Sequence, residues 1–372
     1  MNILQVIPEL DAGGAERTTI EVAQAIVAEG GRALVASRGG RLEDELAAVG
    51  GELIRLDMKT KNPLAVWRNA GRLADIIRRE DIDIIHARSR APAWSAKWAA
   101  QRTDAVFVTT YHGAYSAKSR LKRLYNAVMS AGVTVIANSR FIAEHVRAEH
   151  GVGEDRLRVI PRGVDLKTFD PAALDAGRLS ALRAAWGVGE REALILLPAR
   201  LTRWKGQAFF IEALAGFDAK DRCRLVCLGD AQGRDAYAAE LEAIAREMGV
   251  SLALPGHARD MAHAYGAADV VVCPSLQPEA FGRTAAEAQA MGRPVIASDH
   301  GGAREVVAPG RTGWLAAPGD AQAWRTALSE ALGLDEADRR TLAEAARERI
   351  TEQFSTQSLQ AATLRVYREA IE

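Results

Sequence analysis

Glu279 and Glu287 flank a strand-to-helix junction in the stretch PSLQPEAFGRTAAEAQAMGRPVIASDHGGAREV, residues 274–306. The apolar run Asp269–Cys273 before it has the pattern of a buried parallel strand. Gly282 then opens a helical pattern, Thr284–Met291, which Gly292 and Pro294 close. Free N–H groups at a helix start and the helix dipole converge on one point and attract an anion. Carboxylates beside such a point suit sugar hydroxyls next to a phosphate. A second loop, Arg200-Leu-Thr-Arg203-Trp-Lys205-Gly206, places Arg200 and Lys205 where a strand gives way to a helix. Two cations there can neutralise a diphosphate leaving group, as a divalent metal does elsewhere.

The first half offers a different set. The loop Pro8–Arg17 carries Gly13 and Gly14, whose amides can cradle phosphate, but without the G-x-G-x-x-G spacing of a dinucleotide site. His112 follows the strand pattern Val106–Thr110 and precedes Gly113, so a polar side chain ends a strand. Arg88 and Arg90 follow the strand Ile82–Ala87, placed to hold a carboxylate or phosphate. Asp81 and Asp83 precede that strand, at its amino end, and read as a turn and not as a metal site. Trp94 and Trp98, four apart on a helix, read as core packing.

These residues need a scaffold that puts strand ends together. Strand and helix patterns alternate from Ile3 to His150 and again from Ala193 onward. Such alternation implies an α/β fold of doubly wound parallel sheets, with ligands at the carboxyl ends of the strands. The Asp/Pro/Ala/Gly-rich run from Asp165 to about Arg178 reads as an interdomain connection. At 372 residues the chain exceeds one ordinary domain. Two such domains would leave a cleft between them for a small molecule.

Composition narrows the class. The chain is 48% hydrophobic and 26% charged with zero net charge, and no apolar run nears the ~20 residues that span a bilayer. Met1–Pro8 is a strand pattern, not a signal peptide. Three cysteines in apolar runs read as buried thiols in a reducing compartment, hence the cytoplasm. Within 61–140 there are 14 basic and 5 acidic residues, which points to an anionic partner, a phospholipid surface or a phosphorylated substrate, and not to nucleic acid. Residues 118–129 mix Lys118, Lys122 and Arg123 with Leu121, Leu124, Tyr125 and Val128. That is the composition of a helix lying on anionic lipid, such as the cytoplasmic face of an inner membrane.

The PEAFGRTAAEAQAMGRPVIAS element, Arg200…Lys205-Gly, the Gly13-Gly14 loop and IPRGVD together resemble the family 4 retaining glycosyltransferases over essentially the whole chain. The resemblance implies a GT-B fold of two Rossmann-like domains. Residues 1–165 with a returning helix at 355–372 would form the acceptor side, and 166–354 would bind the donor. It implies metal-independent, cofactor-free transfer of a hexose from a UDP- or GDP-sugar to a glycolipid or polysaccharide. Glu279 would hold donor hydroxyls and Glu287 the ribose, while Arg200 and Lys205 would hold the diphosphate. Gly14, Gly282 and Thr284 would add amide donors, and His112 would stand at the reacting centre. Front-face attack, with the departing phosphate taking the acceptor's proton, needs no protein nucleophile.

Two positions depart from the family pattern. Arg162 replaces the usual Asn of Pro-Asn-Gly, and Arg283, commonly apolar, stands where it could touch phosphate or donor. The HARSRAPAW run is similar to lipopolysaccharide-core transferases, which would set Arg88 and Arg90 against an anionic glycolipid. A nucleotide-sugar epimerase on the same fold and a non-catalytic nucleotide-sugar-binding protein are the competing classes.

Overall fold

The computed structural model describes residues 1–11, 13–115 and 119–372. Lys118, the first residue of the proposed lipid-facing segment, lies outside them. The chain forms two compact units, Met1–Gly163 with Thr356–Glu372, and Val164–Ser355.

The first unit holds a sheet of β1 (Asn2–Val6), β2 (Arg32–Ser37), β3 (Glu52–Arg55), β4 (Ile84–Ala87), β5 (Val106–Tyr111), β6 (Thr134–Ala137) and β7 (Leu157–Val159). Their order is β3-β2-β1-β4-β5-β6-β7, and every pairing is parallel. Central strands read as continuous apolar runs because helices cover both faces. The order reverses direction beside β1 and β4, so their following loops diverge and leave room for a ligand. Those loops carry Gly13-Gly14 and Arg88. The last helix, Thr356–Ile371, packs on the first, Gly14–Ala28, and buries Leu359, Leu364, Val366 and Tyr367 in the core with Ile20, Val22 and Ile26.

The second unit repeats the plan with β8 (Ala193–Pro198), β9 (Cys223–Leu228), β10 (Leu252–Gly256), β11 (Val270–Cys273), β12 (Val295–Ser298) and β13 (Trp314–Ala316). The order is β10-β9-β8-β11-β12-β13, again parallel throughout, with the reversal between β8 and β11. The loops after β8 and β11 hold the Arg200–Lys205 and Glu279 segments.

Three local expectations change. The run 165–178, expected as an interdomain connection, is part of the second unit: Phe169 is buried, Leu174 and Leu179 pack on the second core, and a helix begins at Ala176. The helix expected within 118–129 stops at Asn126 and continues as a 3-10 turn, Ala127–Ser130. Asn126 is fully buried, and its side-chain oxygen accepts from Arg90. Arg90 itself is not in a loop but opens the helix Arg90–Ala100. All three cysteines carry free thiols, and Cys223 and Cys227 are buried.

Candidate functional site

In the second unit, β11 delivers the chain into a tight loop and then into the helix Arg283–Ala290. Gly282 precedes that helix at φ 94°, a conformation that favours glycine, and no side chain caps the helix start. The loop after β8 meets the same place, because Gly206 lies against Pro274. A Cβ on Gly206 would sit 1.9 Å from the Pro274 carbonyl oxygen.

This approach brings Lys205 to Glu279. Lys205 Nζ stands 2.8 Å from Glu279 Oε1, with only 14% and 20% of the two side chains exposed. The ammonium also lies 4.4 Å from the Trp204 ring centroid. Ser275 Oγ donates to the same carboxylate oxygen, and His300 Nε2 is 2.8 Å from the Ser275 carbonyl. Burial pushes the Glu279 carboxyl up. The Lys205 charge, the bonds from Lys205 and Ser275, and His300 outweigh it and hold Glu279 below the usual carboxylate range. The loop is braced from behind: Gly302 N donates to the Glu279 carbonyl at 2.8 Å, and a Cβ on Gly301 would approach that oxygen to 2.5 Å.

Glu287 lies one turn into the helix. Its Oε2 accepts from the Tyr265 hydroxyl and its Oε1 from Arg283 Nε, both at 2.9 Å. Burial, then the neighbouring Glu287, push the Tyr265 phenol well up, so Tyr265 stays a donor. Arg283 therefore engages Glu287. Thr284 Oγ1 donates to the Pro198 carbonyl at 3.3 Å, tying the helix start to β8. Arg200, two residues past the end of β8, is exposed, while its carbonyl accepts from Gln207 Nε2 at 2.9 Å. Lys205, by contrast, already spends its charge on Glu279, leaving Arg200 as the open cation of the pair. The arrangement offers anchored carboxylate acceptors, an exposed guanidinium and a helix start within one strand edge, which suits a sugar attached to a phosphate.

The first unit gathers a second set. Gly14 opens the first helix, and Arg162 lies directly on it: a Cβ there would meet Arg162 Nη1 at 1.4 Å. Arg162 Nη2 also stands 3.4 Å from His112 Nδ1. Burial, then Arg162 and Arg88, hold His112 well below the usual imidazole value, so the ring is neutral. Arg88 does not stand open at a strand end. It is 2% exposed and donates through Nε to Gln5 Oε1 at 2.6 Å. Arg90 lies 4.1 Å from the Tyr115 ring centroid. Asp83 accepts from the Asn2 amide at 2.7 Å, tying two strand starts together. Among the described residues, no group of three or more His, Cys, Asp or Glu side chains is disposed to hold a metal ion.

Ser275, His300, Tyr265 and Arg162 contact these side chains without having been singled out for a role by sequence. Arg162 alone carried a signal, as the departure in the IPRGVD motif.

Two family models match the chain, Glycosyltransferase Family 4 over residues 12–168 and Glycosyl transferases group 1 over residues 180–349. The D-inositol 3-phosphate glycosyltransferase of Xylanimonas cellulosilytica is 35% identical over 309 residues, spanning 77% of this chain and 72% of that protein. A crystallised glycosyltransferase from Rickettsia africae ESF-5 is 33% identical, with a TM-score of 0.92 over 100% of this chain and 98% of that one. Anabaena Alr3699/HepE, solved in complex with UDP-glucose, has a TM-score of 0.85 over 99% and 100% of the two chains. At 24% identity this last likeness bears on the fold alone.

Proposed function

The chain belongs to the family 4 glycosyltransferases, and from that premise we propose that it moves a hexose from a UDP- or GDP-sugar to an anionic acceptor, retaining the anomeric configuration and using no metal or other cofactor. The Lys205–Glu279 pair carries the reading. It fixes a carboxylate within reach of sugar hydroxyls, beside an uncapped helix start suited to phosphate. Glu287, held by Tyr265 and Arg283, is the ribose acceptor, and Arg200 is the cation that meets the diphosphate. A diol donates to these carboxylates, and the guanidinium and helix amides offset charge building on the leaving phosphate. The family resemblance assigns His112, neutral at pH 7, to the donor sugar.

The acceptor we infer is a glycolipid or saccharide of the bacterial cell envelope, with lipopolysaccharide core as one case. Unit 1 would then lie on the cytoplasmic face of an anionic membrane through its exposed helix Arg120–Asn126. The relative named for D-inositol 3-phosphate favours a second acceptor, a soluble phosphorylated polyol. Both acceptors are anionic.

Incubating the protein with UDP-, GDP- and ADP-sugars, with and without EDTA, tests the reading through release of nucleoside diphosphate. Release that depends on acceptor and survives EDTA is expected. Arg200→Ala or Lys205→Ala should lower turnover roughly a hundredfold or more with the fold kept. Near-normal turnover in both variants would remove the diphosphate role, and ring epimerisation without an acceptor would replace transfer by epimerisation.

A further inference from the structure

Beneath His112 lies a buried polar chain that the donor-binding chemistry does not use. Tyr367, on the last helix and fully buried, has its hydroxyl 2.6 Å from His86 Nδ1. His86 Nε2 lies 2.7 Å from Thr110 Oγ1. His86 is 0% exposed and Thr110 4%, so no bulk water competes for these groups. The Arg88 guanidinium sits beside the Tyr367 oxygen.

Donor and acceptor roles follow from that cation. A guanidinium only donates, so the Tyr367 oxygen turns a lone pair toward it and points its hydrogen at His86 Nδ1. With Nδ1 accepting, the single proton of the neutral ring sits on Nε2 and is donated to Thr110 Oγ1. Burial, then Arg88 and His112, keep His86 neutral. The Thr110 hydroxyl is left to donate onward. It lines a cavity of about 20 Å³ together with His112, Asn138, Arg88, Arg162 and Thr18. That volume takes one oxygen-sized group. Buried in the same place, without a hydrogen-bond partner among the described residues, are His112 Nε2, Asn138 Oδ1 and Arg88 Nη2. Thr110 stands two residues before His112, at the end of β5, so a constraint on its side chain is a constraint on the strand end that presents the imidazole.

We propose that Tyr367, His86 and Thr110 form a one-way hydrogen-bond relay, polarised by Arg88, that positions His112 for glycosyl transfer. They are positioning residues: none touches the donor, and the relay rests on the reading that His112 does. Arg162 donating to Nδ1 leaves the His112 proton on Nε2, aimed into the cavity that the relay serves. The charged and titratable groups facing His112 are Arg162, Arg88 and His86, with Glu21 facing Arg88 from the first helix. The last helix thereby gains a role beyond covering the core.

The test uses Tyr367→Phe, Thr110→Val and the double variant of the full chain, each checked by circular dichroism. Hydrolysis of UDP-glucose or GDP-mannose, whichever the wild type cleaves, supplies the rate. Each single variant should lower kcat about tenfold with KM unchanged, since one link of a charge-polarised chain is lost. The double variant should be no slower than either single one, because the first cut already breaks the relay. Tyr367→Phe removes the hydrogen bond donated to Nδ1, which favours the neutral His86 ring, so the acid limb of that variant's pH profile should move to higher pH. Independently of any substrate, ¹⁵N-histidine NMR of the wild type should show His86 with Nδ1 unprotonated, and Tyr367→Phe should disperse that tautomer. Additive losses in the double variant, an unmoved acid limb, or a proton on His86 Nδ1 would each overturn the relay. The NMR outcome does so even where the assigned reaction proves wrong.

Discussion

Lys205 and Glu279 are each shielded from water, so their pairing decides the pH behaviour of the second unit. Glu279 sits below the usual carboxylate range because the ammonium and the Ser275 hydroxyl outweigh its burial. A depressed carboxyl contributes stability above its unfolded value near 4.3 and loses it as pH falls through the folded value. Lys205→Met removes the main opposing charge and leaves burial as the larger influence, which raises the folded value above the unfolded one. The variant should lose about 3 kcal/mol at pH 7 and then gain stability on acidification, while the wild type loses it. Thermal unfolding between pH 7 and pH 4 would show the two curves converging; parallel curves would mean that the pair is not coupled. Both residues were legible because a strand, a glycine and a helix start mark the place where such groups collect. Ser275, His300 and Tyr265 were not, since Ser275 and His300 gather at Glu279, and Tyr265 at Glu287, only once the loops and helices have folded. Arg88 is buried for a related reason. A strand end looks solvent-facing until a helix nearly three hundred residues later in the chain covers it.

At the scale of the element, the helix Arg120–Asn126 turns its apolar residues outward. Leu121 is 81% exposed and Leu124 64%, with Arg120, Lys122 and Arg123 among them. Trp94 donates to the Tyr125 carbonyl at 3.2 Å and meets Trp98 in a tilted contact at 5.7 Å; both tryptophans, expected in the core, are only half-buried, and Trp94 braces this helix from its flank. On the helix Pro63–Arg79, Leu64 and Trp67 are 67% and 58% exposed, and Arg102 lies 5.7 Å from the Trp67 ring. Exposed leucines and a tryptophan interspersed with arginine and lysine match an interfacial surface on anionic lipid. Leu121→Ser with Leu124→Ser, and separately Lys122→Glu with Arg123→Glu, should each lower cosedimentation with phosphatidylglycerol-containing vesicles at least tenfold. High salt should weaken binding of the wild type. Equal sedimentation with uncharged phosphatidylcholine vesicles, or unchanged binding of both variants, would retire the membrane contact.

For the whole molecule, the significant fact is that the first unit is built from both ends of the chain. Val164 N donates to the Phe354 carbonyl at 2.7 Å, so the outgoing and returning segments run side by side where one unit gives way to the other. Beyond Thr356 the last helix buries Leu359, Leu364, Val366 and Tyr367 in the first unit's core. Burying four such side chains is worth about 6–12 kcal/mol at roughly 1.5–3 each, comparable to the 5–15 kcal/mol that typically stabilises a domain. The second unit uses no residue beyond Ser355. A chain ending at Ser355 should therefore lose the first unit and keep the second. Limited proteolysis of that truncated chain should degrade residues 1–163 and leave a resistant fragment of about 164–355, and the thermal transition of the missing unit should vanish. The full chain should show both units protected. Two intact transitions in the truncated chain would mean that the first helix covers the sheet unaided. The relay from Tyr367 predicts a finer result in the same setting: Tyr367→Phe should leave both units protected while slowing turnover, separating the helix's contribution to stability from its contribution to His112.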